Sequence, residues 1–243
     1  MKDIKSKQIL SIAFAALLVM VPKVSFSDQD ALADEPTNNT FGEIRFSSRV
    51  ADSLNLSDST TGNDAAVSFN NDQLNDFSSI GFAVGKKFGE SAFYSFGFES
   101  FGSSNAKVDG FTDRGGTSYS TTTLPFDMKH VIAEVGVVNP LNETFDTMVY
   151  GGVGYSQIET DEYTIKTLAG TTVTGNGRSD DTSGVTYRIG VGAGYRLSEA
   201  LRLVGTVQYT DYGEAFWMND SDTRGVTGEI KATELGLRLV FGF

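Results

Sequence analysis

Charged side chains recur at every second position of several segments that are otherwise apolar or rich in glycine. Carboxylates and guanidinium groups that meet away from water form charge-assisted hydrogen bonds, so such residues can make an ion-pair network. Four acids and six bases follow this pattern: Glu43, Arg45, Lys87, Glu99, Glu134, Arg188, Arg196, Arg202, Glu234 and Arg238. We expect them to form one network inside the fold, which either gates a small pore or fills the interior as a structural plug.

His130 is the other candidate for chemistry, because it is the one histidine of the chain and any Ser–His or Asp–His catalysis must use it. Its even spacing from Glu134 places both side chains on the same face of a strand. No serine or aspartate of a second segment stands out as its partner. The alternative to a catalytic role is an interior histidine that hydrogen-bonds to a neighbour.

The segments between the apolar stretches hold many acids, and carboxylates are ligands for Ca²⁺ and Mg²⁺. None of these segments has the spacing of a dedicated calcium loop, so we expect a solvated, mutually repelling surface without a bound metal. The chain also lacks cysteine, which excludes disulfides and thiolate metal sites, and no cofactor is predicted. The acids are Asp52, Asp58, Asp64, Asp72, Asp76, Asp161, Glu162, Asp180, Asp181, Asp220 and Asp222.

The elements that must position these residues are strands, because side-chain character alternates with a period of two. Eight such stretches span residues 41–49, 77–88, 91–101, 126–138, 144–158, 184–197, 201–212 and 232–243. The connections between them alternate long and short, and the long ones are residues 50–76, 102–124, 159–183 and 213–231. This arrangement predicts an all-β fold, an eight-stranded antiparallel up-and-down barrel.

One face of these strands is apolar and aromatic, and the other carries glycines and the ten charges. A water-soluble barrel would have to bury the charges or expose a wide apolar band, and both are costly. A transmembrane barrel has neither problem, because its apolar face meets lipid. Aromatic residues should then form two interfacial belts, with Phe98, Tyr155, Tyr187 and Tyr209 toward the loops and Phe88, Tyr195, Phe241 and Phe243 toward the turns.

The N-terminal residues indicate export. Lys2, Lys5 and Lys7 precede the apolar run 9–21 and a small-residue cleavage pattern, so residues 1–27 are predicted to be a signal peptide and 28–40 a flexible periplasmic lead-in. The formal net charge of −12 makes nucleic acid an unsuitable partner. The barrel domain is therefore predicted to span 41–243.

Residues 41–243 resemble the family of small eight-stranded outer-membrane barrels that includes the transmembrane domain of outer membrane protein A and the opacity-type surface antigens. The resemblance rests on the glycine-alternating segments 149–155 and 190–195 and on the ending Gly236–Phe243. It implies an outer-membrane location with extracellular loops and periplasmic termini. Phe241 and Phe243 look like the signal that such proteins present to the barrel-assembly machinery, and we expect no cell-wall anchoring domain.

The resemblance implies a surface protein with a structural or interaction role, whose partners are outer-membrane lipid, lipopolysaccharide and a host or surface ligand at the loops. A plug is favoured over a pore because eight strands leave an interior only wide enough for side chains. Two alternatives remain: a small-solute pore, and an enzyme that modifies lipid A through His130, as some barrels of this membrane do. The apolar residues 216–218 of the fourth loop are either a contact patch or lie on the membrane interface.

Overall fold

The computed structural model describes residues 39–58, 72–74, 77–89, 91–108, 111–112, 118–161, 164–167, 172–174, 177–178, 180–219 and 225–242. The predicted signal peptide and residues 28–38 of the lead-in lie outside these ranges and stay predictions. No helix among the residues described is long and apolar enough to cross a membrane.

Eight long strands make up most of the described chain. They are β1 (Thr40–Asp58), β3 (Ser78–Phe88), β4 (Ala92–Phe101), β7 (Ser118–Pro140), β8 (Phe145–Thr160), β12 (Asp180–Ser198), β13 (Leu201–Asn219) and β14 (Gly225–Phe241). Six short strands lie between them: β2 (Asp72–Leu74), β5 (Ser104–Val108), β6 (Phe111–Thr112), β9 (Thr164–Thr167), β10 (Thr172–Thr174) and β11 (Gly177–Arg178).

The long strands pair antiparallel in the order β7-β4-β3-β1-β14-β13-β12-β8, and β8 pairs with β7 again. The sheet is therefore a closed ring of eight strands, and the predicted up-and-down barrel is confirmed. Closure leaves no open strand edge along the ring, which a sheet in hydrocarbon requires. Three tight turns join β3 to β4, β7 to β8 and β12 to β13, and we call this the turn end of the barrel.

Side chains alternate between the outside and the interior along each strand. Near the turn end the outside is apolar and well exposed, as at Phe82 (61%), Ile189 (62%) and Val135 (61%). Between these residues, glycine and polar side chains point inward. The exposed aromatics include Tyr187 and Tyr209 toward the loops and Phe88, Tyr195 and Phe241 toward the turns. Phe98 and Tyr155 are half-exposed, and Phe243 lies outside the described residues.

The polarity of the two faces reverses in the other half of the barrel, which we call the loop end. On β7, Phe126 and Met128 point inward and are buried, whereas Asp127 and Lys129 point outward. Twelve buried apolar residues fill this half and form the loop-end cluster: Phe77, Phe101, Ala106, Leu124, Phe126, Met128, Ile158, Tyr212, Ala215, Trp217, Ile230 and Ala232. The loop end is therefore built like a water-soluble barrel, with an apolar core and a polar outer face.

This reversal explains why the predicted long loops are wrong in extent. Each of the four contains strand: β1 continues to Asp58, β7 begins at Ser118, β12 begins at Asp180, and β13 and β14 occupy most of 213–231. The sequence prediction ended each strand where its outward apolar face ended. On β7 and β13, side chains beyond that point are described, and the alternation continues there with apolar residues inward.

The prediction that the aromatic and apolar residues 216–218 lie in the fourth loop is also wrong. They lie on β13, not in a loop. Trp217 is 1% exposed and its Nε1 donates a hydrogen bond to the Pro125 carbonyl of β7 at 3.1 Å. Its indole packs edge-on against Phe126. Trp217 is therefore part of the interior, where it cannot be a contact patch.

Candidate functional site

Six of the ten predicted charges meet in the middle of the barrel. Glu43 and Arg45 come from β1, Glu99 from β4, Glu134 from β7, Arg188 from β12 and Arg238 from β14. We call these six residues the charge network. Each lies on an inward-facing position of its strand and is at most 5% exposed. The closed ring therefore brings together residues that are almost 200 positions apart in sequence.

Arg45 and Arg238 lie directly opposite each other on paired strands, an arrangement that is unfavourable for like charges. Two carboxylates separate them. Glu134 lies 2.7 Å from Arg45 and 2.9 Å from Arg238, and Glu43 lies 2.7 Å from Arg45 and 3.6 Å from Arg238. The two arginines are therefore held together by shared acids.

Arg188 completes the network from β12, which lies two strands away from β14 in the ring. It binds Glu99 through two parallel hydrogen bonds, from Nη1 to Oε1 at 2.7 Å and from Nη2 to Oε2 at 2.6 Å. Its Nη1 also donates to Glu134 at 3.2 Å. A two-pronged arginine–carboxylate contact fixes orientation as well as charge. With three acids and three arginines, the network has a formal charge of zero.

Glu234 is buried beside this network, but no ion pair joins it to any residue that the structure describes. It accepts hydrogen bonds from Gln208 Nε2 at 2.7 Å and from the Tyr212 hydroxyl. The hydroxyl of Tyr150 donates to Gln208 at 2.8 Å, and the Arg238 guanidinium lies 4.1 Å from the Tyr150 ring centre. Neutral donors therefore satisfy the fourth predicted acid.

The remaining three predicted bases lie toward the turn end. Arg202 is buried and pairs with Asp146, an acid that the sequence prediction missed although it shares the inward spacing of Tyr150. Lys87 is half-buried. Arg196 was predicted to belong to the network but is exposed, because it occupies the last row before the turn, where the pairing of β12 with β13 shifts register.

Apolar side chains close the interior below the network. This turn-end cluster consists of Phe41, Phe93, Met148, Tyr150, Val204 and Val240. Inward-facing glycines on adjacent strands leave the room that its rings occupy: a Cβ at Gly190 would overlap the Tyr150 ring, and a Cβ at Gly85 would overlap the Phe41 ring. The glycine alternation therefore serves packing of the interior.

His130 points inward and is 1% exposed. Its Nε2 lies 2.8 Å from the Thr186 hydroxyl, and its Nδ1 lies 3.5 Å from Glu99. The order of acid, histidine and hydroxyl resembles a catalytic relay. Thr186 is fully buried, however, and Glu99 is held by Arg188. Ser156 lies opposite His130 in register, but its hydroxyl donates to the Tyr212 carbonyl. Among the residues described, no group of three or more His, Cys, Asp or Glu side chains could hold a metal ion.

A closed ring of strands with an apolar outer band and a charged interior is the architecture of outer-membrane barrels. Comparison with known families decides whether the chain belongs to them. The model of the outer membrane protein beta-barrel domain family matches residues 22–243. The chain belongs to this family. As a member it is a transmembrane protein of the Gram-negative outer membrane, and lipid surrounds its apolar band.

Solved structures of small outer-membrane barrels are similar to the chain. Neisserial surface protein A shares 9% sequence identity over 84% of this chain and 97% of that one, with a TM-score of 0.46. OprG of Pseudomonas aeruginosa shares 12% over 84% and 96%, with a TM-score of 0.48. The N-terminal barrel domain of Pseudomonas aeruginosa OprF shares 9% over 84% and 98%, with a TM-score of 0.42. No curated protein matches the sequence.

Members of outer-membrane barrel families place their short turns in the periplasm and their longer loops outside the cell. The turn end of this barrel is therefore periplasmic and the loop end extracellular. Because lipid surrounds the apolar band, charged residues at this level avoid lipid by facing the barrel interior, where the charge network lies. The reversal of polarity then marks the level at which the barrel leaves the outer leaflet.

Proposed function

We propose that this outer-membrane barrel is a surface protein with a structural or interaction role, whose lumen is closed to solutes and whose acidic loops contact the environment or a host surface. The observation that carries the proposal is the filling of the interior at three successive levels. The turn-end cluster, the charge network and the loop-end cluster each consist of buried side chains.

A solute would have to disrupt all three levels to pass. At the middle level it would separate Arg188 from Glu99 and Arg45 from Glu134, which leaves buried charges without partners. At the loop end it would displace Trp217, whose indole is hydrogen-bonded to the opposite wall. This cost favours the plug over the alternative of a small-solute pore.

The test of closure is electrical. The folded full-length chain, inserted into planar lipid bilayers, should give no stepwise increase in current, whereas a known porin in the same bilayers should. Stepwise currents would contradict the proposal. If they appear, an Arg188→Met variant should change their size and a Lys129→Gln variant should not, because Arg188 is in the lumen and Lys129 is on the outer face.

The interaction role rests on charge and is tested separately. Cells that display the wild-type chain should adhere more strongly to amine-coated than to carboxylate-coated surfaces, because the loop residues are rich in acids. A variant with Asp64, Asp220 and Asp222 changed to asparagine should lose part of this difference. If the wild-type and variant cells show the same difference in adhesion between the two surfaces, the loop charges have no role in adhesion.

The alternative of an enzyme acting on lipid A through His130 is not favoured, because the Glu99–His130–Thr186 row is buried and its carboxylate is held by Arg188. Thr186 carries the hydroxyl that the structure shows hydrogen-bonded to the histidine, and a Thr186→Val variant removes it with little change in shape. Lipid A from cells expressing it should match lipid A from cells expressing the wild type. A change in the lipid A profile between the two would support the enzyme instead.

A further inference from the structure

One charged side chain lies on the outer face of the barrel between its two aromatic belts. Lys86 of β3 is exposed and lies between Val84 (61% exposed) and Phe88 (43%), which both face outward. Its sequence neighbours Gly85 and Lys87 face the interior. Among the residues described, every other outward position at this level on β1, β3 and β4 is uncharged. The described outer faces of these three strands therefore supply no acid to pair with Lys86.

Two hydroxyl groups flank Lys86 in the same row of the sheet. Tyr94 of β4 lies opposite it on one side and Thr40 of β1 on the other. Tyr94 is 44% exposed, and Thr40 is also exposed. The ring of Tyr94 is further positioned by Phe88, at a centroid distance of 6.1 Å. One ammonium group and two hydroxyl groups therefore face the lipid from three adjacent strands.

This donor set suits a phosphate, whose oxygens accept hydrogen bonds from ammonium and hydroxyl groups. Inward acids do not compete for the lysine, because Glu43 and Glu99 are buried in the charge network on the other side of the same strands. The described outer faces of β1, β3 and β4 carry no carboxylate up to Ser48, Ile80 and Ser100. The described residues on the outer faces of these three strands would therefore attract an anion in this row and would not repel it.

The depth of the row identifies the source of the phosphate. Lys86 is two residues from Phe88, which is the last residue of β3 before the periplasmic turn and belongs to the turn-end aromatic belt. A lysine stem at this depth carries its ammonium to the level of the lipid headgroups. The headgroups on the periplasmic side of an outer membrane belong to phospholipids.

We propose that Lys86, Tyr94 and Thr40 form a binding site for the phosphate of an anionic phospholipid in the periplasmic leaflet. The lysine selects a headgroup with a net negative charge over a zwitterionic one, in which an ammonium or choline group already neutralises the phosphate. The site is independent of the closed lumen and of the loops, so it can exist whether or not the proposed surface role is correct.

The test compares binding of two lipids to the full-length folded chain. The protein is held in detergent, dioleoyl phosphatidylglycerol or dioleoyl phosphatidylcholine is added, and native mass spectrometry counts the bound lipids. The wild type should bind the first phosphatidylglycerol more tightly than the first phosphatidylcholine. Lys86→Gln should reduce that preference by about fivefold, which is the contribution of one lysine or arginine to binding at an anionic lipid surface.

Lys87→Gln is the matched control, because it removes the adjacent charge from the interior side and should leave the preference unchanged. Lys86→Arg should retain the preference, and Tyr94→Phe should reduce it by less than Lys86→Gln does. Each variant is first checked for the gel-mobility shift of a folded barrel. If Lys86→Gln does not fold, the comparison of Tyr94→Phe and Lys86→Arg with the wild type carries the test.

Three results would overturn the proposal. The first is equal binding of the two lipids by the wild type, and the second is binding of phosphatidylglycerol by Lys86→Gln that is as tight as binding by the wild type. In the third, an equimolar amount of inorganic phosphate would displace the phosphatidylglycerol, which would assign the row to a free anion and not to a lipid.

Discussion

Replacement of Glu134 by glutamine is the sharpest test of the charge network. The Glu134 carboxylate contacts three guanidinium groups, those of Arg45 at 2.7 Å, Arg238 at 2.9 Å and Arg188 at 3.2 Å. Glutamine keeps the length and shape of the side chain but removes its charge. The network then has two acids and three arginines, so its formal charge changes from 3 − 3 = 0 to 3 − 2 = +1.

The expected loss follows from the burial of these groups, none of which is more than 5% exposed. Removal of one partner from a buried ion pair costs about 3–5 kcal/mol, because the other charge is left without compensation in a poorly solvated place. We expect Glu134→Gln to lower the free energy of unfolding by that amount. Addition of Arg238→Met restores neutrality, so the double variant should be more stable than the sum of the two single losses predicts.

The assay is equilibrium unfolding in urea of the full-length chain folded into phospholipid vesicles. Trp217 is the single tryptophan and is buried in the loop-end cluster, so its fluorescence reports loss of the barrel interior. Lys129→Gln serves as the control: it breaks an exposed pair with Glu159, and such pairs contribute only about 0–1 kcal/mol. A Glu134→Gln variant within about 0.5 kcal/mol of the wild type would refute the reasoning, since it would mean that water solvates the network.

Three further outcomes are expected from the packing of the interior. Trp217→Phe should lower the free energy of unfolding by about 1–3 kcal/mol, measured by circular dichroism, because it removes the indole hydrogen bond to the Pro125 carbonyl and part of a buried ring. The Asp161 N–H still donates to that carbonyl at 3.2 Å, so no buried acceptor is left without a partner. An unchanged midpoint would contradict the expected loss. Gly190→Ala should destabilise the wild type by about 1–3 kcal/mol, because the added Cβ overlaps the Tyr150 ring. In a Tyr150→Leu background the same change should cost less stability. Equal losses in both backgrounds would show that the ring moves freely. Raising the salt concentration to about 1 M should leave the wild-type unfolding free energy within about 0.5 kcal/mol, because buried pairs are screened much less than exposed ones, and a large salt effect would place the network in water.

The strand count, the antiparallel ring and the inward position of the charged residues could all be predicted from the period of two. That period depends only on backbone geometry, so it holds in lipid and in water alike. The lengths of the strands could not be predicted in the same way. Phe126 and Met128 look like outward residues if the outer face is assumed to be apolar throughout, and the strand then appears to end before them.

The sequence also could not predict which side chains pair with one another in the interior. Spacing placed Glu234 and Arg196 on the inward face with the other charges, but it carries no information about depth along the barrel axis. Depth decides that Glu234 meets Gln208 and Tyr212, and that Arg196 reaches solvent at the last row. Asp146 had the correct spacing and could have been included, since Tyr150 of the same strand was already placed on the inward face.

The reversal of polarity between the two halves has a consequence for how the barrel enters the membrane. The outer face of the loop end carries charged groups, among them Asp127, Lys129, Asp211 and Lys231. Each lysine alone costs about 2–4 kcal/mol at the bilayer midplane. If a closed barrel crossed the intact hydrocarbon from the periplasm, the free-energy cost would include every outward charge of the loop end at the same time. The route of lower cost closes the ring only after the loop end has crossed, or crosses where the bilayer has been thinned, so the rate of insertion should rise steeply as the lipid chains are shortened.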